Sequence, residues 1–176
     1  MIEIHSNPYT LTTRPDTQES EEPLRERLNL RWVNGCLFNV MAQKRTPQAR
    51  VEYDAVLWNS RSILFIEYKD SLTAHRRMPA KRAQQVSDFA RNIAKTLGFR
   101  EYNYIIVVNG LESRTIKNGV PVMPLDELER YQPEFQSTQR EVEYIDKLIE
   151  KHRKTADDEL VKELEKLRMM IQERGR

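Results

Sequence analysis

The stretch VEYDAVLWNSRSILFIEYK, from Val51 to Lys69, restricts the possible folds more than any other part of the chain. It reads as a strand over Val51 to Trp58, a turn at Asn59, Ser60 and Arg61, and a second strand over Ser62 to Tyr68. The second strand contains the β-favouring run ILFI, and a run that apolar is normally covered on both faces. Its far end carries charge. Strand side chains alternate, so Glu67 and Lys69 point the same way and Tyr68 points opposite. An acid and a base are thereby held side by side at the end of a rigid element.

Asp54 lies in the strand expected to pair with this one across the short turn. Pairing would bring its carboxylate near that of Glu67. Two carboxylates at close range repel, and one is pushed toward its protonated form unless a cation intervenes. A hard divalent cation such as Mg²⁺ prefers oxygen donors and would bridge them. Lys69 would then lie beside a water able to attack a phosphodiester, with the cation and the ammonium opposing the developing negative charge.

Asp54 followed by Glu67-Tyr68-Lys69 resembles the signature of the PD-(D/E)XK nuclease superfamily, whose members share the restriction-endonuclease-like fold. By order of elements the resemblance spans roughly residues 20 to 130. The proline that commonly precedes the first acid of the signature is Tyr53 here. The resemblance implies metal ligation by Asp54 and Glu67, with the Tyr68 carbonyl helping, and a catalytic role for Lys69. It implies Mg²⁺ as cofactor, with Mn²⁺ as a substitute, and DNA rather than RNA as substrate. It also implies a metal-directed glutamate on the first helix, for which Glu26 is the choice and Glu22 the substitute. A strand-end ion pair without chemistry is the competing reading in a chain that is 32% charged. Against it, Glu67-Tyr68-Lys69 is the sole acid-x-lysine triplet in the sequence.

The remaining composition narrows the class. At 176 residues the chain can form one core of ordinary size and an appendage. The net charge is +2, so the distribution of charge matters more than its total. One cysteine, Cys36, forbids an intramolecular disulfide and fits a reducing, cytoplasmic setting. No apolar run is long enough to span a membrane, and the N-terminus lacks a signal pattern. His5, His75 and His152 are isolated, and no phosphate-binding glycine loop is present.

In chain order, residues 1–19 read as a polar arm in which MIEI forms an edge strand. A helix is expected from Glu21 to Val33, capped by Ser20, with Leu24, Leu28 and Trp32 on its apolar stripe. Cys36 to Gln43 is the next strand. Asp70 to Ala80 is expected to be a loop. Pro79 then opens a helix to Leu97 with an apolar stripe through Ala83, Val86, Ala90, Ile93 and Ala94, closed by Gly98. Tyr102 to Val108 is a buried strand, and the strand–helix–strand order requires it to run parallel to a central one. A short strand, VPVM, and a short helix near Leu125 to Tyr131 follow. The expected class is α/β, a mixed central sheet flanked by helices over residues 20–133, with a helical extension over 134–176. In the extension, Val142, Ile145 and Ile149, and then Leu160, Leu164, Leu167 and Ile171, mark either a hairpin or one long helix.

Between Ser71 and Arg100, seven Lys or Arg oppose one acid, Asp88, which suits a phosphate backbone. Arg76, Arg77, Lys81 and Arg82 are the candidate phosphate contacts. Some relatives within the superfamily place a glutamine on this helix followed by an aromatic, and Gln85 with Phe89 follows that spacing loosely, with Gln84 adjacent. His75 is near enough for proton transfer. The expected function is a metal-dependent nuclease acting on DNA, forming a homodimer through residues 134–176. The alternatives are a catalytically silent subunit of the same fold that binds nucleic acid or a protein, and a structural adaptor.

Overall fold

The computed structural model of the protein describes residues 8–14, 21–154 and 157–174. The chain divides into two compact units between Phe135 and Gln136. The first contains β1 (Tyr9–Thr13), α1 (Glu22–Glu26), β2 (Gly35–Lys44), β3 (Ala49–Trp58), β4 (Ser62–Lys69), α2 (Leu72–Arg77), α3 (Ala80–Thr96), β5 (Glu101–Val108), β6 (Thr115–Lys117), β7 (Val120–Pro124) and a 3₁₀ turn over Leu125–Arg130. The second contains the helices α4 (Arg140–Lys154) and α5 (Asp158–Arg174).

The sheet is open and mixed, in the spatial order β1-β2-β3-β4-β5-β7-β6. The strands β1 to β4 form an antiparallel meander. After the α2–α3 crossover, β5 lies parallel to β4 in continuous register from Ser62↔Glu101 to Lys69↔Val108. That is the crossover the sequence requires. β4 and β5 are thus central, and their near-continuous apolar runs are covered on both sides. One face packs Ile63, Phe65, Tyr102 and Tyr104 against Ala83, Val86, Ala90 and Ile93 of α3. The other packs Leu64, Ile66, Ile105 and Val107 against Leu24 of α1 and Leu125 and Leu128 of the 3₁₀ turn. A helix on each face is therefore observed.

Two elements differ from expectation. The first helix stops at Glu26 instead of reaching Val33. Asn29 ends it: its Oδ1 accepts the Arg31 N–H at 3.2 Å and its Nδ2 donates to the Tyr131 carbonyl at 3.1 Å. An asparagine that bonds nearby backbone competes with helix formation. The stripe still reaches the core, because Leu28, Trp32 and Val33 pack on the same face as Leu24 without being helical. The expected loop at 70–80 contains α2. Ser71 caps it, its Oγ accepting the Ala74 N–H at 3.1 Å. Pro79 forces the residue before it out of the helical region, which separates α2 from α3; Met78 sits at ψ 117.

The edge strand is formed by Tyr9–Thr13, within the expected arm. The expected strand at MIEI and the Ser20 cap lie outside the described residues. In the second unit the extension is two helices folded on each other, not one. Arg153 pairs with Glu165 at 2.7 Å and Asp146 with Arg168 at 2.9 Å, so α4 and α5 run antiparallel. Ile145 and Ile149 meet Val161, with Leu164 and Ile171 alongside.

Candidate active site

The sheet changes face at Asp54. Alternation would put Tyr53 and Ala55 on opposite sides from Asp54 and on the same side as each other, yet they line opposite cores. The neighbouring strand does the same at Asn39: Phe38 and Val40 also line opposite cores. Asn39 adopts φ 51, a left-handed conformation that asparagine tolerates better than most residues. The register pairs Phe38↔Ala55 and Val40↔Tyr53 but leaves the position between them open. The β3–β4 ladder likewise ends at Ala55↔Ile66. Beyond it the Tyr68 N–H donates to Asp54 Oδ2 at 2.6 Å instead of to a carbonyl. The Asp54 carboxylate thus takes a ladder position, against the end of β4.

Glu67 and Lys69 emerge on the α3 side of β4, and Tyr68 packs on the other side. Lys69 Nζ meets Glu67 Oε1 at 2.7 Å, with the side chains 24% and 17% exposed. The second oxygen, Oε2, accepts the Tyr104 hydroxyl at 2.5 Å. Tyr104 comes from β5 and packs against one aromatic ring of β3. Tyr53 lies edge-on to it at 6.0 Å, and Tyr53 in turn tilts on Phe65 at 4.7 Å. Both phenols are pushed well above their usual range, first by burial and then by the Glu67 charge. Tyr104 therefore remains a hydrogen-bond donor.

Asp54 is the perturbed acid of the site. Burial, followed by the charges of Glu21 and Glu67, raises it from 3.8 to about 7, against the Tyr68 N–H and Lys69, which hold it down. At the start of α1, the acid acting on Asp54 is thus the N-cap residue, Glu21. Glu26 and Glu22 are exposed, and the structure does not join them to the Asp54–Glu67 pair.

A cleft of about 520 Å³ opens beside Glu67 and Lys69. Arg50 and Glu52 line one wall; Ala74, Arg77, Met78 and Arg82 line the other. Two of the four expected phosphate contacts, Arg77 and Arg82, therefore stand at the acid–lysine pair. Arg76 and Lys81 are exposed outside that lining. Gln85 is exposed, Gln84 donates to Asp88 at 3.2 Å, and Phe89 packs edge-on against Tyr9 at 5.4 Å. Those glutamines are not brought to the site. A second concavity, of about 390 Å³ between α4 and α5, is lined by Asp146, Arg153, Glu165 and Arg168, which neutralise one another.

Lys117, on the β6–β7 hairpin, was not anticipated. Its Nζ donates to the carbonyls of His75 at 2.5 Å and Met78 at 2.8 Å, fastening the hairpin to the end of α2. Burial and then Lys69 lower its pKa, while Glu67 opposes them. His75 is buried, and its Nδ1 has no partner. Burial first, then Lys117, Lys69 and Arg76, lower its pKa, so at neutral pH it is uncharged. Among the described residues, no three His, Cys, Asp or Glu side chains are grouped to hold a metal ion.

No family model matches the sequence, and no curated protein does. Among solved structures the chain is similar to protein VC1899 from Vibrio cholerae, at 13% identity and a TM-score of 0.38. That similarity covers 63% of this chain and 30% of the other. No described helix is long and apolar enough to cross a membrane.

Proposed function

We propose that the protein is a divalent-cation-dependent nuclease of the PD-(D/E)XK type, cleaving phosphodiesters in DNA. One observation carries the reading: the Glu67–Lys69 pair opens on a cleft walled by Arg50, Arg77 and Arg82, while the buried, proton-retaining Asp54 is held against the end of the same strand by the Tyr68 N–H. Perturbed acids in a basic cleft mark functional sites more often than ordinary surface.

The donor set fits a hard cation. Burial first, then the charges of Glu21 and Glu67, keep a proton on Asp54 near neutrality, so a positive charge beside Asp54 and Glu67 would offset what raises it. Both offer oxygen, the ligand Mg²⁺ prefers, and the Tyr68 backbone, whose N–H bonds Asp54, offers its carbonyl as a third oxygen. The ligands are thus Asp54, Glu67 and the Tyr68 carbonyl, with Mn²⁺ as a substitute. When bound, the cation would supply positive charge opposing the negative charge that develops on the phosphoryl oxygens. Lys69 adds an ammonium on the same face and orients the attacking water. Arg50, Arg77 and Arg82 hold flanking phosphates, which fixes the strand in the cleft without reading its sequence.

Asp54→Ala, Glu67→Ala and Lys69→Ala should each lower Mg²⁺-dependent cleavage of DNA by about 100-fold or more while the protein stays folded. Wild-type cleavage by any one of them would remove that residue from the chemistry. A panel of single strands, duplexes, flaps and junctions identifies the substrate form. A second reading, a silent subunit that binds nucleic acid, is favoured by the two oxygens of Glu67 already being taken up by Lys69 and Tyr104. Binding without cleavage across that panel would select it. The α4–α5 unit is read as the self-association element of a homodimer.

A further inference from the structure

Among the described residues, Tyr104 is the one side chain outside the signature that holds a signature carboxylate by a direct hydrogen bond, at 2.5 Å to Glu67 Oε2. We propose that Tyr104 is a positioning residue that fixes the orientation of Glu67 for cation binding. This rests on the nuclease reading above.

The argument is one of freedom removed. A glutamate side chain has three rotatable bonds, and ordering it removes rotamer freedom. Glu67 is 17% exposed and lies at the mouth of a cleft, where packing alone does not fix its carboxylate. Lys69, the partner of Oε1, is a flexible chain that moves with whatever enters the cleft. Tyr104 differs in kind. It is fully buried on a central strand, its ring is gripped edge-on by Tyr53, and its hydroxyl reaches one oxygen only. The bond therefore pins Oε2 from beneath and presents Oε1 to the cleft. Outer partners of ligating carboxylates act in this way, and their loss typically weakens metal affinity by about 10–100-fold.

Tyr53 supplies the control. It is as deeply buried and adjacent, but its hydroxyl donates to the Val86 carbonyl at 3.0 Å, away from Glu67. Mn²⁺ affinity of the metal-free protein, measured by electron paramagnetic resonance, separates the two roles without recourse to cleavage. Tyr104→Phe should weaken Mn²⁺ binding about 10–100-fold, and Tyr53→Phe should leave it within about twofold. Equal affinity of Tyr104→Phe and wild type would overturn the proposal. Equal weakening in both variants would also overturn it, since the loss would then come from general loosening of the aromatic layer. Absence of Mn²⁺ binding in the wild type would instead remove the nuclease reading beneath it. A measurement on the unsubstituted side chain covers a Tyr104→Phe that does not fold. The ¹³Cζ resonance of Tyr104 should shift on addition of Mg²⁺ in wild type and stay fixed in Glu67→Gln. A wild-type resonance indifferent to Mg²⁺ would sink the idea.

Discussion

Asp54 sits between opposing demands, and its protonation reports which one prevails. Its native pKa, about 7, lies above the ordinary 3.8, with burial the largest cause. A carboxyl raised in this way binds its proton more tightly in the native than in the unfolded state. Its contribution to stability is complete at pH near 4 and is lost as pH rises through about 7. For a shift of that size the loss approaches about 4 kcal/mol. Metal-free wild type should therefore lose stability between about pH 4 and 7 relative to Asp54→Asn, which carries no ionisable group at that position. Urea denaturation of both proteins across that range tests it, and parallel curves would refute the raised pKa. Saturating Mg²⁺ at pH 8 should restore about 2–3 kcal/mol to the wild type and none to Asp54→Asn. Which residues would meet was only half readable in the sequence. Glu67 and Lys69 follow from alternation along one strand. Asp54 needed only the neighbouring strand. Tyr104, Lys117 and Arg50 reach the site from a parallel neighbour, a distant hairpin and the outer end of β3, and no local pattern encodes such meetings. Glu21, the N-cap residue of α1, acts on Asp54, while the exposed Glu26 lies at the other end of that short helix.

The corner between α2 and α3 is where the basic segment becomes a surface. Ser71 starts α2, Pro79 ends the run between the helices, and Lys117 clamps the carbonyls of His75 and Met78. Arg77 and Arg82 flank this corner and face the cleft, whereas Arg76 and Lys81 do not line it. Replacing Arg77 and Arg82 together with alanine should weaken DNA binding equally across sequences. The log–log salt slope should fall by about 1.4–1.8, at 0.7–0.9 for each lost phosphate contact. Replacing Arg76 and Lys81 should change the slope less. Fluorescence anisotropy over a salt series decides it, and identical slopes for the two pairs would make the corner an ordinary charged face. Lys117→Met should act on the same wall indirectly. It removes charged hydrogen bonds to two carbonyls, each worth about 1.5–3 kcal/mol, and should lower the melting temperature while Lys117→Arg largely retains it. At this scale the sequence was most legible where periodicity was long. The α3 stripe and the apolar strands β4 and β5 form as their spacing requires. Six-residue α2 is too short to show a period, and α1 was overextended because Leu24, Leu28 and Trp32 keep helical spacing although Asn29 breaks the backbone between them.

For the whole molecule the open question is the role of the second unit. Its helices bury Ile145, Ile149 and Val161 against each other, with Leu164 and Ile171 beside them. The sequence placed Leu160, Leu164, Leu167 and Ile171 on one seam, but the hairpin divides that seam. Leu164 and Ile171 turn toward α4, while Leu160, Leu167 and Met170 remain 37%, 45% and 52% exposed. The exposed three recur at a spacing of seven and three, which is the spacing of a coiled-coil stripe. A hairpin of two helices has a small core, and the proposed self-association would cover this narrow apolar stripe. Pairing of two such stripes about a twofold axis gives the commonest closed assembly and puts two copies of the acid–lysine site in one particle, as cutting both strands of a duplex requires. Light scattering should therefore return twice the chain mass of 20.9 kDa. Leu160→Glu with Leu167→Glu should return a single chain mass with unchanged helix content, because neither side chain belongs to the α4–α5 seam. A wild-type mass of 20.9 kDa at micromolar concentration would end the dimer. A double variant that stays dimeric would move the interface off α5.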